Sequence, residues 1–117
     1  MKSEELAERF IDFAANIVRF VIGLEKTAIG RHIGGQLARS ATSAGANYEE
    51  ACGAESRADF IHKMQIVLKE LRESLYWMRL IEKTKLSESS NLLSLRQEAG
   101  ELANIVAKSI VTAKSRK

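Results

Sequence analysis

Residues 60–78 read FIHKMQIVLKELRESLYWM, and this stretch decides the fold. Phe60, Met64, Val67, Leu71, Leu75 and Met78 recur at steps of four and three, broadened by Ile61 and Leu68. A helix turns once in about 3.6 residues, so these side chains stack along one face; a strand would alternate at every second position. Ser56, three residues before Asp59, reads as a capping box with aspartate in place of the usual Glu or Gln. A helix is predicted from about Arg57 to Lys85.

Outward from that helix the same period recurs three times. A first segment, about Ser3 to Glu25, carries Leu6, Phe10, Phe13, Ile17, Phe20/Val21 and Leu24, with Ser3 as its N-cap and Glu4 and Glu5 in its first turn. A second, about Thr27 to Cys52, carries Ile33, Leu37, Ala41, Ala44, Tyr48 and Ala51. It is rich in small residues from Ser40 through Ala46, which let another backbone approach closely. Glycines at 30, 34, 35 and 45 weaken a helix by up to about 1 kcal/mol each, and a break is predicted near Gly34–Gly35. A fourth segment, about Ser89 to Ala113, carries Leu92, Leu95, Ala99, Leu102, Val106, Ile110 and Ala113.

The links between segments are short, near Lys26, Gly53–Ser56 and Leu86–Glu88, and proline is absent. Short links force antiparallel neighbours, and four amphipathic rods of similar length bury their stripes best as an up-down-up-down bundle. The expected fold is therefore all-α: one antiparallel four-helix-bundle domain over residues 1–117, with helices at about 3–25, 27–52, 57–85 and 89–113.

Composition narrows the class. The chain has 117 residues, a net charge of +3 and a pI near 9.2, a mild basic bias that permits contact with phosphates without demanding it. Cys52 is the sole cysteine, which excludes an intramolecular disulfide and suits a reducing cytoplasm. The start, Met1-Lys2-Ser3-Glu4-Glu5, is acidic where a signal peptide is basic, and Asp12, Asn16 and Arg19 interrupt the most apolar run. A cytoplasmic protein without membrane contact is expected.

The sequence offers little for catalysis. A di-metal bundle needs Glu-x-x-His on two helices. Asp59-x-x-His62 is a single relative of that spacing, and Ile29 precedes His32 where a second copy would need an acid. Cys52 and His62 have no third member to orient them, so Cys52 reads as structural. The glycines lack the spacing and closing Lys-Ser/Thr of a phosphate loop. Neither a metal nor a cofactor is expected, and no enzyme.

Polar stripes say more. On the second helix Gln36, Arg39/Ser40, Ser43, Asn47 and Glu50 run beside the apolar stripe; on the third, Glu70, Glu73 and Trp77 share a face. Antiparallel packing would bring Arg39 and Asn47 near those carboxylates, in a network that fixes helix register or subunit contacts. Basic residues supply the candidate nucleic-acid contacts: Lys26, Arg31 and His32 near the first turn, Lys83 and Lys85 near the last, and Lys114, Arg116 and Lys117 in the tail. Arg57 and Lys63 join them at the far end.

The run Gly30-Arg31-His32-Ile33-Gly34-Gly35-Gln36-Leu37-Ala38-Arg39-Ser40, continued by Ser43-Ala44-Gly45-Ala46-Asn47-Tyr48-Glu49-Glu50-Ala51, is informative as a whole. With Asp59-Phe60-Ile61-His62-Lys63 and Leu68-Lys69-Glu70-Leu71-Arg72-Glu73-Ser74-Leu75-Tyr76-Trp77, it resembles the bacterial four-helix-bundle proteins encoded by intervening sequences of 23S ribosomal RNA genes. The resemblance spans nearly the whole chain. It implies an antiparallel bundle and a homopentameric ring, and it is similar to the basic pentameric accessory proteins of diversity-generating retroelements, which bind a reverse transcriptase and nucleic acid. It brings no catalytic residues. Arg39, Asn47, Glu50, Glu70, Glu73 and Trp77 match its distinctive positions, where it implies a structural role. The function expected is an oligomeric binding protein for RNA, DNA or an RNA-handling complex; the competing expectation is a protein-binding scaffold with no nucleic-acid contact.

Overall fold

The computed structural model describes residues 1–116, and they form four α-helices: α1 (Ser3–Ile22), α2 (Ala28–Cys52), α3 (Arg57–Thr84) and α4 (Asn91–Ser115). Each helix packs on the next, and α4 closes back on α1, so the four stand at the corners of a square in cross-section. The body measures 51 × 20 × 20 Å. The packing is that of an antiparallel, up-down-up-down four-helix bundle. Among the described residues no helix is long and apolar enough to cross a membrane.

Local chemistry sets the helix ends. Thr27 caps α2, its hydroxyl accepting from the Gly30 N–H at 3.0 Å; Ser56 caps α3 by accepting from Asp59 N–H at 3.0 Å. Ser3 does not cap α1; it is the first helical residue, and Lys2 precedes it without a side-chain cap bond. The first helix stops at Ile22, short of Glu25, because residues 23–25 tighten into a turn in which Gly23 donates to the Phe20 carbonyl and Leu24 to that of Val21. Leu24 is nonetheless buried. At the end of α3, Leu86 N–H returns to the Ile81 carbonyl while Lys85 takes a left-handed conformation with φ 56°. This is the helix-ending turn usually made by glycine.

The predicted break at Gly34–Gly35 does not occur; α2 runs unbroken from Ala28 to Cys52. Its glycines serve packing instead. A Cβ at Gly30 would lie 2.0 Å from the Leu24 carbonyl oxygen, and one at Gly34 would lie 3.3 Å from Val21 Cβ. Close approach of α1 to α2 offsets the helix-propensity cost there. Gly35 has open space around it.

One apolar cluster draws on all four helices, with Phe10, Phe13, Ile17, Leu37, Met64, Leu71, Met78 and Leu102 fully enclosed. Phe10 stacks on Tyr48 at a centroid distance of 4.9 Å. The core stripe of α3 departs from the sequence expectation. Ser74 is buried where Leu75 was expected, and Leu75 and Phe60 are only partly buried. The reason is the small-residue face of α2, against which a serine fits and a leucine does not.

Two substitutions test this packing by urea unfolding. Gly30→Ala is expected to destabilise by about 1–3 kcal/mol through overpacking. Gly35→Ala, with nothing to strike, is expected to stabilise by about 0.5–1 kcal/mol.

Candidate functional site

The seam between α2 and α3 is the most polar part of the interior. Ser40 and Ser74 are fully buried, and their hydroxyl oxygens lie 2.8 Å apart. Each hydroxyl also donates within its own helix: Ser40 to the Leu37 carbonyl at 3.1 Å, Ser74 to the Glu70 carbonyl at 3.0 Å. Next to Ser40 and nearer the surface, Arg39 crosses the seam. Its Nη1 donates to Glu70 Oε2 at 3.1 Å and its Nη2 to Glu73 Oε2. Trp77 Nε1 donates to the same Glu73 oxygen at 3.1 Å and its ring meets Tyr76 edge to face. Glu70 is buried, with only 8% of its side chain exposed, while Arg39 is half exposed. The guanidinium therefore neutralises a buried carboxylate from outside.

These groups shift one another in the expected directions. The Trp77 N–H first, and the Arg39 guanidinium next, hold the Glu73 carboxyl below its ordinary value. The Glu73 hydrogen bond in turn raises Arg39. The cluster clamps α2 to α3 through two charge-assisted contacts of Arg39.

Of the six residues assigned to one network, the structure brings four together: Arg39, Glu70, Glu73 and Trp77. Asn47 is not among them. It sits two turns further along α2 and donates back to the Ser43 carbonyl at 2.9 Å and hydroxyl at 3.2 Å. Glu50 pairs instead with Lys63 Nζ at 2.8 Å, a second, separate bridge between α2 and α3. The sequence reading missed Ser74, the buried partner of Ser40, although its position four residues after Glu70 and between Leu71 and Met78 was a usable signal. It also missed Arg9, which spans from α1 to Glu98 at 2.5 Å and Glu101 at 3.1 Å on α4. Cys52, read as structural, is exposed. It sits in the last turn of α2, where the chain turns away from the core.

The basic candidates separate into two groups at opposite ends of the long axis. Lys26 lies in the α1–α2 turn, Arg31 and His32 in the first turns of α2, Lys83 in the last turn of α3, and Lys85 at its C-cap. The antiparallel topology puts all five at one end. Arg19, Arg79 and Arg96 belong to the same third of the bundle, where the acids are only Glu25, Glu82 and Glu88, and Glu82 is engaged by Arg96 at 2.6 Å. Arg31 Nη1 donates to the Glu25 carbonyl at 2.9 Å, which holds its guanidinium at the α1–α2 turn beside Lys26. Lys114, Arg116 and Arg57 mark the opposite end, where Arg57 donates to the Arg116 carbonyl. There Glu4, Glu5, Glu8, Glu49, Glu55 and Asp59 balance the positive charge. Lys117 lies outside the described residues. Among the described residues no three His, Cys, Asp or Glu gather as metal ligands.

The clamp makes a pH prediction. A carboxyl held low in the fold stabilises fully above its unfolded value of about 4.5, and that contribution fades as pH falls through the depressed folded value. Glu73→Gln is expected to cost about 1 kcal/mol at pH 7. It should also flatten the acid side of the stability–pH curve, measured by urea unfolding from pH 7 to 3.

Comparison with known proteins agrees with this architecture. No curated protein sequence is similar to the chain. Among solved structures, a protein of unknown function from the S23 ribosomal protein family of Bacteroides thetaiotaomicron VPI-5482 is 34% identical, with a TM-score of 0.87. The match covers 94% of this chain and 98% of that one. The profile of the 23S rRNA-intervening sequence proteins matches residues 2–108, taking in both polar bridges of the α2–α3 seam and the whole basic end. The chain belongs to the 23S rRNA-intervening sequence protein family.

Proposed function

We propose that this chain is a non-enzymatic, homo-oligomeric binding protein of the cytoplasm whose α1–α2/α3–α4 end holds RNA phosphates. The observation that carries this reading is charge segregation. A net charge of +3 would be weak if spread over the surface, yet one end holds seven Lys and Arg against three Glu while the other is balanced. Phosphate attraction grows with local charge, and a ring of subunits would multiply it. The pentamer implied by the family resemblance would gather five such ends.

Lys85 adds a second support. A left-handed backbone costs a non-glycine residue about 1–2 kcal/mol, and this position carries a lysine where glycine is the ordinary choice. A charge kept at that cost is a charge with a use.

Oligomerisation draws support from α1, where Ile11, Val18 and Ile22 are exposed at spacings of seven and four, on one line pointing away from the core. That line is also what favours the second reading, a scaffold that binds proteins through apolar contact alone. Salt separates the two. With single-stranded RNA and four phosphate contacts, affinity is expected to fall roughly fifty-fold between 50 and 200 mM salt. Association that ignores salt would favour the scaffold. Lys83→Glu with Lys85→Glu should abolish the RNA interaction, while Lys114→Glu with Arg116→Glu should leave it. Lys85→Gly should raise stability by about 1 kcal/mol while weakening RNA binding.

A further inference from the structure

The end of the bundle away from the basic loops holds a cavity of about 840 Å³, bounded by the start of α1, the α2–α3 turn and the last turns of α4. Sites for drug-sized ligands run from roughly 300 to 1,000 Å³. Its floor is apolar: Leu6 from α1, Phe60 and Met64 from α3, and Ile105 from α4. Tyr48 forms part of the wall, its hydroxyl tied to the Ser3 carbonyl at 3.3 Å. Burial raises that phenol, with the neighbouring Cys52 thiol contributing, so it stays a neutral donor. Three cations stand around this floor, Arg57, Lys108 and Arg116, and among the described residues no Asp or Glu lines it.

That last point is not a property of the whole end. Glu4, Glu5, Glu8, Glu49, Glu55 and Asp59 all belong to it. They balance its charge, yet none of them lines the cavity. An apolar floor ringed by cations alone is complementary to one kind of molecule, an apolar chain ending in an anion. A nucleic-acid phosphate would leave the floor wet; an uncharged lipid would cover the floor and gain nothing from the three exposed cations at its edge. Zwitterions and divalent metals meet no carboxylate there.

We propose that this cavity is a binding site for a monomeric, single-chain anionic amphiphile, of the class of a medium-chain fatty carboxylate. The chain lies over Leu6, Phe60, Met64 and Ile105, and the head group is held by Lys108 and Arg57. This site is separate in space from the RNA-binding end proposed above and stands or falls without it.

The methionines report on it directly. Met64 is in the floor and Met1 lies on the wall, while Met78 does not touch the cavity. With methyl-labelled methionine and NMR detection, dodecanoate below its micelle concentration is expected to shift Met64 and Met1 and to leave Met78 unmoved. Affinity should rise by roughly fourfold per methylene buried between octanoate and dodecanoate. Lys108→Gln should weaken dodecanoate about tenfold, the usual consequence of losing one charge-assisted hydrogen bond. Ile105→Trp should fill the cavity and abolish the shifts while thermal unfolding stays cooperative. Three results would each overturn the proposal: no shift with dodecanoate, equal binding of dodecanol, or binding only when anionic vesicles are supplied. RNA affinity measured on the same Lys108→Gln protein should be unchanged, which keeps the two sites distinguishable.

Discussion

Between Ile33 and Leu37 at one end and Tyr48 at the other, helix α2 brings only small residues to the interior, and its two neighbours must close on it. Gly30 abuts the Leu24 carbonyl, Gly34 abuts Val21, and Gly45 lies against Phe10. Toward α3, the buried faces are Ser40, Ala41 and Ala44. A helix so narrow can be packed only by letting the partner backbones come near and letting large side chains from α1 and α3 reach across. Phe10, Phe13, Met64 and Met78 do so. The same closeness places Ser40 against Ser74 at hydrogen-bond distance and lets Arg39, from the exposed side, reach two carboxylates on α3. Replacing the small residues with larger ones would separate α2 from α3 and dissolve the clamp along with the packing.

Charge is arranged with similar economy. The bundle is 51 Å long, several times the roughly 8 Å Debye length at physiological salt. Its two ends therefore act electrostatically as separate objects. One is a cluster of cations on turns; the other is neutral overall but presents only cations to its cavity. Between them, Glu98 and Glu101 with Arg9, and Glu70 and Glu73 with Arg39, use the middle of the bundle for bridges between helices.

The architecture was legible in the sequence because the stripes of α1 and α4 are strongly apolar and the links are short. The family could be read from the Arg39-Ser40 and Glu70-to-Trp77 residues for the same reason: they are unusual on a bundle helix. What escaped was governed by register. Apolar periodicity favours Leu75 over Ser74 on hydrophobicity alone, and only the narrowness of α2 reverses that choice. Asn47 shared a stripe with Arg39, but once Ser40 faces Ser74 an antiparallel partner places Asn47 opposite residues near Val67. That is about 10 Å from Glu73 along the axis. A stripe on one helix does not state which part of its partner it meets. The basic residues could be counted from sequence but were sorted into two ends only by the topology, since Lys26 and Lys85 lie far apart along the chain. The cavity had no sequence signal, because its floor and rim come from all four helices.

The polar seam bears on function through this register. Small residues make a smooth surface along which α3 could slide by a turn at little loss of apolar contact. A shift of one turn would separate Ser40 from Ser74, strand the buried Glu70 carboxylate, and break Glu50 from Lys63. Leaving a buried charge without its partner costs several kcal/mol, far more than a small-residue seam loses by slipping. The bridges therefore select one alignment among near-equals, the role best attested for polar groups in helical interfaces. The alignment they select fixes the height of Lys83 and Lys85 on α3 relative to Lys26 and Arg31 beside α2. A bundle one turn out of register would offset these two basic clusters by about 5 Å, comparable to the spacing between successive phosphates. The clamp in mid-bundle thus sets the geometry of the basic end to which RNA binding is assigned by proposal.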